Sequence, residues 1–277
     1  MPSIAEKRAT FRKLHEGGCF ALPNPWDIGT ARYLQHQGFK AIATTSAGYA
    51  FSIGRPDNAV PRDAMLAHIA ELVEASDLPV NADYENGYAH QPDGVAESVR
   101  LCVETGVAGL SIEDSTGDKE NPLYDLDLAV ARIRAARKAI DDDGGDTLLV
   151  GRAECFLVGK PDLAETTRRL KAYADAGADC LYAPGIRTAE QITAVVQAVA
   201  PKPVNVPVGG PIGFTMNDLA ALGVRRVSVG GSLARAAWGG FIRASKALAE
   251  GSFEGFKDAA PHPELNGFFR EDLKARS

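Results

Sequence analysis

The chain reads as an α/β protein built on one (β/α)8 barrel of the TIM type. Three observations predict this: a repeated helix–glycine–strand unit, a count of eight apolar runs, and polar residues gathered where those runs end. The repeat stands in "HQGFKAIATTS" (36–46), "ETGVAGLSIED" (104–114), "DAGADCLYAPG" (175–185) and "ALGVRRVSVGG" (221–231). Each stretch closes a helix, places a glycine, and runs through apolar residues into small or polar ones. Gly38, Gly106, Gly177 and Gly223 fall where a helix ends in left-handed backbone, a conformation that a residue without Cβ adopts freely. The apolar runs that follow read as buried parallel strands.

Four further runs, "CFALPN" (19–24), "LPVNADYE" (78–85), "TLLVGRAECF" (147–156) and "KPVNVPV" (202–208), bring the strands to eight. The segments between them have helical periodicity. In "RDAMLAHIAELVEAS", Met65, Leu66, Ile69, Leu72 and Val73 share a face, and in "DGVAESVRLCVETG" so do Val95, Val99, Cys102 and Val103. Eight strands alternating with helices is the number that closes into a barrel. A doubly wound open sheet is the alternative, but no GxGxxG follows the first strand. No linker-like or low-complexity segment divides the 277 residues. The expectation is therefore a single domain over 1–277, with 233–277 as a C-terminal helical extension.

Apolar residues make up 45% and charged residues 24%, an ordinary soluble composition. A net charge of −6 and a pI near 5.5 argue against nucleic acid or an anionic membrane as partner. No stretch is long enough for a membrane span, and "MPSIAEKRATFRKLHEGG" is too polar for a signal peptide, so a cytoplasmic setting is expected. Cys19, Cys102, Cys155 and Cys180 lie far apart without a CxxC pair and read as free thiols. The histidines form no HxH or HxxxH pair, which leaves little for histidine-based metal chemistry.

Barrel enzymes carry their chemistry at the C-terminal ends of the strands. Read in order, those ends present Asn24, Ser46, Asp83 with Glu85, Glu113 with Asp114, Arg152 with Glu154, Tyr182, Asn205, and the pair Gly230–Gly231. Asp83 and Glu85, two apart on a strand, would point to the same side. Carboxylates crowded together without histidine or cysteine suit a hard cation, Mg2+ or Mn2+. The plainer possibility is that they are solvated or pair with Arg152.

Taken together, "TTSAGYAFSIGRPD", "ADYENGYA", "LSIEDS" and "VGRAECF" resemble the successive signatures of the isocitrate lyase/phosphoenolpyruvate mutase superfamily. The resemblance covers strands two to five and continues less distinctly to about residue 240. It implies Mg2+ or Mn2+ held by Asp83, Glu85 and Glu113, directly or through water, with Asp57 behind them. It implies a small 2-oxo acid as substrate, its carboxylate on a turn of Ser46, Ala47 and Gly48, with Asn205 and Arg152 also in the substrate site. Arg152, with Glu113 and Tyr49 as further catalytic candidates, would sit where enolate charge develops; bound water, Tyr49 or Tyr88 would return a proton.

The departures narrow the reaction. Isocitrate and methylisocitrate lyases of this superfamily carry a Lys-Lys/Arg-Cys-Gly-His loop after strand four, where this chain has "STGDKENPLYDLD" without cysteine or histidine. Residues 116–124 are expected as a mobile lid whose Lys119 and Asn121 could reach the site. A decarboxylase or simple carbon–carbon lyase acting on a 2-oxo (di)carboxylate such as oxaloacetate follows. The alternatives are a phosphonate-forming mutase and a catalytically silent 2-oxo acid binding protein. A Schiff-base aldolase is disfavoured because "CLYAPG" has no lysine. The glycines of "VSVGGSLARAA" could cradle phosphate or merely pack. The long apolar helix after strand eight, with Phe241, Ile242, Leu248, Phe253 and Phe256, suggests a homo-oligomer, a dimer or tetramer.

Overall fold

Each of the eight apolar runs forms a strand in the computed structural model, which describes residues 2–276; Met1 and Ser277, the ends of the expected domain span, lie outside the described residues. The chain runs α1 (Ile4–Leu14), β1 (Phe20–Leu22), α2 (Ile28–His36), β2 (Ile42–Ala43), α3 (Ser46–Ser52), α4 (Arg62–Ala75), β3 (Val80–Asp83) and α5 (Pro92–Glu104). It continues through β4 (Gly109–Glu113), α6 (Leu126–Asp142), β5 (Leu148–Arg152), α7 (Leu163–Asp175), β6 (Cys180–Tyr182) and α8 (Ala189–Val199). The last elements are β7 (Val204–Pro207), α9 (Met216–Ala221), β8 (Arg226–Ser228), α10 (Ser232–Ala249) and α11 (His262–Arg276).

All pairings are parallel, in the order β1-β8-β7-β6-β5-β4-β3-β2. The two end strands meet across a short seam: Ala43 N donates to Pro23 O at 3.0 Å, and Asn24 Nδ2 donates to Thr44 O at 2.8 Å. The sheet thus curls into a nearly closed (β/α)8 barrel. Gly38, Gly106, Gly177 and Gly223 have φ of +84°, +86°, +106° and +88°, as the helix-closing reading predicts. The predicted helix faces are the ones that bury: Met65, Ile69, Leu72 and Val73 on α4, and Val95, Val99, Cys102 and Val103 on α5.

The N-terminal helix stops the bottom of the barrel. Phe11 of α1 packs with Leu22, Ala41, Ala43, Ala108 and Leu148. Gly109 makes room for it, since a Cβ there would lie 2.8 Å from the Phe11 ring. His15 stands edge-on to Phe11, its Nδ1 bonded to Phe11 O at 2.8 Å. Burial, reinforced by the Arg226 guanidinium, lowers the His15 pKa to about 3. Because this folded-state pKa lies below the unfolded value of about 6.5, the unfolded chain binds more protons between pH 6.5 and 3. The contribution of His15 is therefore complete above pH 6.5 and is lost as pH falls. Comparing denaturant unfolding at pH 7.5 and pH 5, His15→Gln should lose about 2 kcal/mol less stability than the wild type on acidification. An identical acid loss in both would show that His15 titrates normally.

The C-terminal extension expected from residue 233 divides in two. α10 follows β8 as the eighth barrel helix, yet only Ala234 on it is buried. α11 lies on α2, with Phe268 edge-on to Tyr33 and Arg32 paired to Asp272 at 3.3 Å. The cysteines are free: Cys102, Cys155 and Cys180 are buried and Cys19 half-buried. No helix among the described residues is long and apolar enough to cross a membrane.

Candidate active site

β5 delivers Arg152 to the mouth of the barrel, and its guanidinium spreads over three carboxylates, one at the end of β3, one at the end of β4 and one just past β5. Nη1 donates to Asp83 Oδ1 at 3.0 Å, Nη2 faces Glu113 Oε2 at 3.3 Å, and Nε pairs with Glu154. The Tyr182 ring covers one face, with its centroid 4.8 Å from the guanidinium carbon. Burial opposes the charge on Arg152, but Glu154, Glu113, Tyr182 and Asp83 outweigh it and hold the group protonated. The positive object between the acids is, in the protein itself, this arginine.

One cation does not neutralise the acids around it. Glu113 is held well above the usual carboxylate range by burial, which Arg152 offsets only in part and Glu154, Asp83 and Glu85 reinforce. Burial raises Glu154 as well. Glu85 is pushed up to about 7, by burial first and then by Asp83 and Asp57, against the hydrogen bond from Tyr88. Asp57 is raised by burial and by Asp83. Shared negative charge with only oxygen donors is an environment that a hard divalent cation suits. Among the described residues, no group of three or more His, Cys, Asp and Glu is arranged as a ready metal cage. An ion here would be held by one or two carboxylates and completed by water and substrate oxygens, as Mg2+ commonly is.

Glu85 reaches this cluster by a different route from the one its spacing suggests. β3 ends at Asp83, and Glu85, Gly87 and Tyr88 have φ of +47°, +73° and +55°. The alternation that would align Glu85 with Asp83 therefore does not apply; the chain turns, and Tyr88 OH donates back to Glu85 Oε1 at 3.0 Å. Left-handed backbone at two residues with side chains costs on the order of 1–3 kcal/mol each, a strain that marks functional turns.

The expected substrate turn at residues 46–48 is the first turn of α3. Ser46 N and Oγ both donate to Asp83 Oδ2 at 3.0 Å, and Gly48 N donates to the capping Thr45 Oγ1 at 3.1 Å. Of the three backbone donors, only that of Ala47 stays free of these bonds. Gly48 serves packing, since a Cβ there would meet Thr45 Cγ2 at 2.5 Å and Ala234 Cβ at 3.3 Å.

A cavity of about 510 Å³ opens beside this cluster, and its lining includes Ser46, Ala47, Asp57, Asp83, Arg152 and Tyr182. Several expected residues stand elsewhere. Asn205 is fully buried and clamped between Ser228 Oγ at 3.0 Å and Arg226 Nε at 2.9 Å; β7 continues to Pro207, so Asn205 lies below the mouth. Tyr49 stacks on His68 with ring centroids 3.8 Å apart. Lys119 and Asn121 are exposed on a hairpin held by the Ser115–Leu123 bridge and by Thr116 N on Pro122 O at 3.0 Å. Asp114 turns outward to Tyr173 OH at 2.6 Å and Arg169 at 3.1 Å. The N–H groups of Val229 and Gly230 both donate to Asn24 Oδ1 at 2.9 Å. That end of the glycine stretch ties two strands together and is not free to cradle phosphate.

The cavity also gathers basic residues that do not stand at the strand ends themselves. Arg187 and Arg235 line it, as do Gly209 to Ile212 and Arg226. "GIRT" and "SLARAA" set the first two a few residues past the ends of β6 and β8, a basic residue in the following loop or helix being the signal in the sequence.

The sequence profile of the phosphoenolpyruvate phosphomutase family matches residues 11–249. The chain is 30% identical over 237 residues to an oxaloacetate decarboxylase from Paraburkholderia xenovorans (strain LB400), covering 80% of this chain and 74% of that one. A crystal structure from Burkholderia cenocepacia J2315, described only broadly as a lyase/mutase, superposes with a TM-score of 0.93 at 52% identity and covers 96% of this chain and 97% of its own. Oxaloacetate acetylhydrolase bound to its product oxalate superposes with a TM-score of 0.85 at 25% identity over 100% of both chains. On these matches the chain belongs to the phosphoenolpyruvate phosphomutase family, within the isocitrate lyase/phosphoenolpyruvate mutase superfamily.

Proposed function

We propose that the protein is a divalent-metal-dependent decarboxylase or carbon–carbon lyase acting on a small 2-oxo dicarboxylate of the oxaloacetate type. One observation carries this reading: a single guanidinium, Arg152, seated among surplus carboxylates at the rim of a cavity. The similarity to an oxaloacetate decarboxylase and to an oxaloacetate acetylhydrolase supports it. Mg2+ or Mn2+, held through Asp83 and through Glu85, Glu113 and Asp57 by way of water, would supply positive charge at the substrate keto oxygen.

In oxaloacetate the bond between C3 and C4 breaks, carbon dioxide leaves, and the electron pair moves through C3 and C2 onto the keto oxygen. Nε and one Nη1 N–H of Arg152 are hydrogen-bonded to Glu154 and Asp83, and Nη2 is paired with Glu113 at 3.3 Å, which leaves N–H donors on Nη1 and Nη2 for that oxygen. Their orientation is set before the reaction, so the developing charge meets donors that need not reorganise. The Ala47 N–H, at the cavity wall, is placed for the carboxylate at C1. A proton then returns to C3. Tyr182 lines the cavity, and burial pushes its pKa up to about 12, so it stays protonated and able to donate. Tyr49 is stacked on His68 and Tyr88 is committed to Glu85, which makes both poorer donors.

Purified protein with Mg2+ should release pyruvate from oxaloacetate and show little cleavage of 2-methylisocitrate, because the hairpin after β4 has no cysteine to supply a proton. Cleavage of 2-methylisocitrate at about 1–1000 per second would overturn the reading. Conversion of phosphoenolpyruvate to phosphonopyruvate without oxaloacetate turnover would put the mutase reading in its place. Metal and 2-oxo acid binding without any turnover would instead leave a binding protein.

The free thiols and acidic charge support a cytoplasmic setting. The exposed apolar residues of the C-terminal helices, Phe241 at 62% and Leu273 at 66%, support a homo-oligomer. Light scattering should give a dimer or tetramer, and Phe241→Asp should weaken it. A wild type that runs at the single-chain mass of 29.3 kDa would remove that proposal.

A further inference from the structure

The cavity does not stop at the carboxylates. Its lining continues over Ser111, Ser228 and Asn81 to Arg226, the first residue of β8. Apart from Leu22, the lining at this end is small or polar, where such folds usually stack branched side chains. Arg226 is only 2% exposed. Its partners are all neutral: Nε donates to Asn205 Oδ1 at 2.9 Å, and Nη1 lies 3.3 Å from Asn81 Oδ1 and 3.4 Å from His15 Nε2. No carboxylate among the described residues pairs with it, and its Nη2 has no partner among them.

A buried cation without an anion is among the least favourable arrangements in a protein interior. Here the surroundings hold it in place. The Asn205 amide is fixed by Ser228 on its other side, and Asn81 Nδ2 is tied to Ala82 O at 3.1 Å. Ser228 accepts from Asn205 at 3.0 Å and is hydrogen-bonded to Tyr182, so it too is fixed. The surplus acids lie at the opposite end of the cavity, so positive charge at the inner end is not cancelled locally.

We infer that the inner end of the cavity binds a small anion, a carboxylate or an inorganic ion, with Arg226 Nη2 as its charged donor. Asn81, beside Arg226, and Asp83, at the metal-suited end, are two residues apart on β3, roughly 6–7 Å along the strand. A four-carbon dicarboxylate spans such a gap, so the anion can be the second carboxylate of the substrate. That identification rests on the proposed function; the anion site does not.

The test uses bromide on the full chain and needs no turnover. Thermal unfolding is followed at constant ionic strength as bromide replaces a large organic anion, and crystals soaked in bromide are measured for anomalous scattering. The wild type should gain about 2 °C or more at bromide ten times its Kd and show a bromide peak at Nη2. Arg226→Gln should show neither. Arg226→Lys, which keeps a charge, should retain part of the shift. Should Arg226→Gln fail to fold, the wild-type titration and peak still decide. Malonate that displaces bromide identifies the site with a substrate carboxylate; malonate and bromide binding together identify a separate anion site. A wild type with no bromide shift and water alone at Nη2 would overturn the inference.

Discussion

Arg152→Lys should lower kcat for oxaloacetate by about 100-fold or more, the scale of losing one preorganised oxyanion donor, while the fold persists. The reason is geometric. The guanidinium sends Nη1, Nη2 and Nε to three different carboxylates and lies against the Tyr182 ring. Lysine keeps the charge but has one nitrogen, no plane and no fork. It can satisfy one or two of Asp83, Glu113 and Glu154, and none of its positions reproduces the remaining donors toward the substrate. A role where charge develops requires kcat to fall more than KM rises. Steady-state pyruvate release, read beside an unchanged circular dichroism spectrum, checks this. An unchanged kcat would show that Arg152 only neutralises its neighbours.

The barrel was legible in the sequence because its signals are local. A glycine that closes a helix and an apolar run after it need only a few residues to declare themselves, and Gly38, Gly106, Gly177 and Gly223 all behave as read. The acids were legible for a related reason, since a strand-end position follows from where an apolar run stops. What was not legible depends on how deep each strand runs and where hydrogen bonds go. Asn205 and Asn24 look alike as strand-end amides. Yet β7 continues past Asn205 and buries it on Arg226, while Asn24 ties β1 to the segment after β8. Ser46 was read as a substrate donor, but both of its donors end on Asp83.

The turn at Glu85 shows the limit most clearly. Alternation along a strand predicts that Asp83 and Glu85 point together, but alternation holds only while backbone stays extended. Left-handed φ at Glu85 and Tyr88 breaks it, and neither residue type announces such a conformation. The carboxylate still joins the cluster, held by Tyr88 OH. Glu85 comes to the cluster by a turn of the backbone and not by the alternation its spacing suggests.

Asp83→Ala should weaken Mg2+ binding by at least the about 10- to 100-fold that follows loss of even an outer partner of a metal ligand, and should lower kcat by about 1000-fold, the upper range for one electrostatic group. Asp83 is where the site's interactions meet: Oδ1 takes Arg152 Nη1, and Oδ2 takes Ser46 N and Oγ. Removing it would therefore strip the proposed metal ligand, loosen one arm of the guanidinium, and free the first turn of α3 at the same stroke. Asp83→Asn separates these effects. The amide oxygen can still accept from Ser46, so α3 should stay in place, but the negative charge that draws a divalent cation is gone. Loss of that charge also removes one cause of the raised pKa at Glu85 and at Asp57. Both should then ionise at lower pH, which works in favour of metal binding and against the prediction. Calorimetric titration with Mg2+ at pH 7.5 weighs the two. If Asp83 is the principal ligand, the asparagine variant binds weakly despite the better-ionised neighbours. Equal Mg2+ affinity in the wild type and Asp83→Ala would mean that the cation, if bound at all, is held elsewhere, and that Asp83 exists to orient Arg152 and α3.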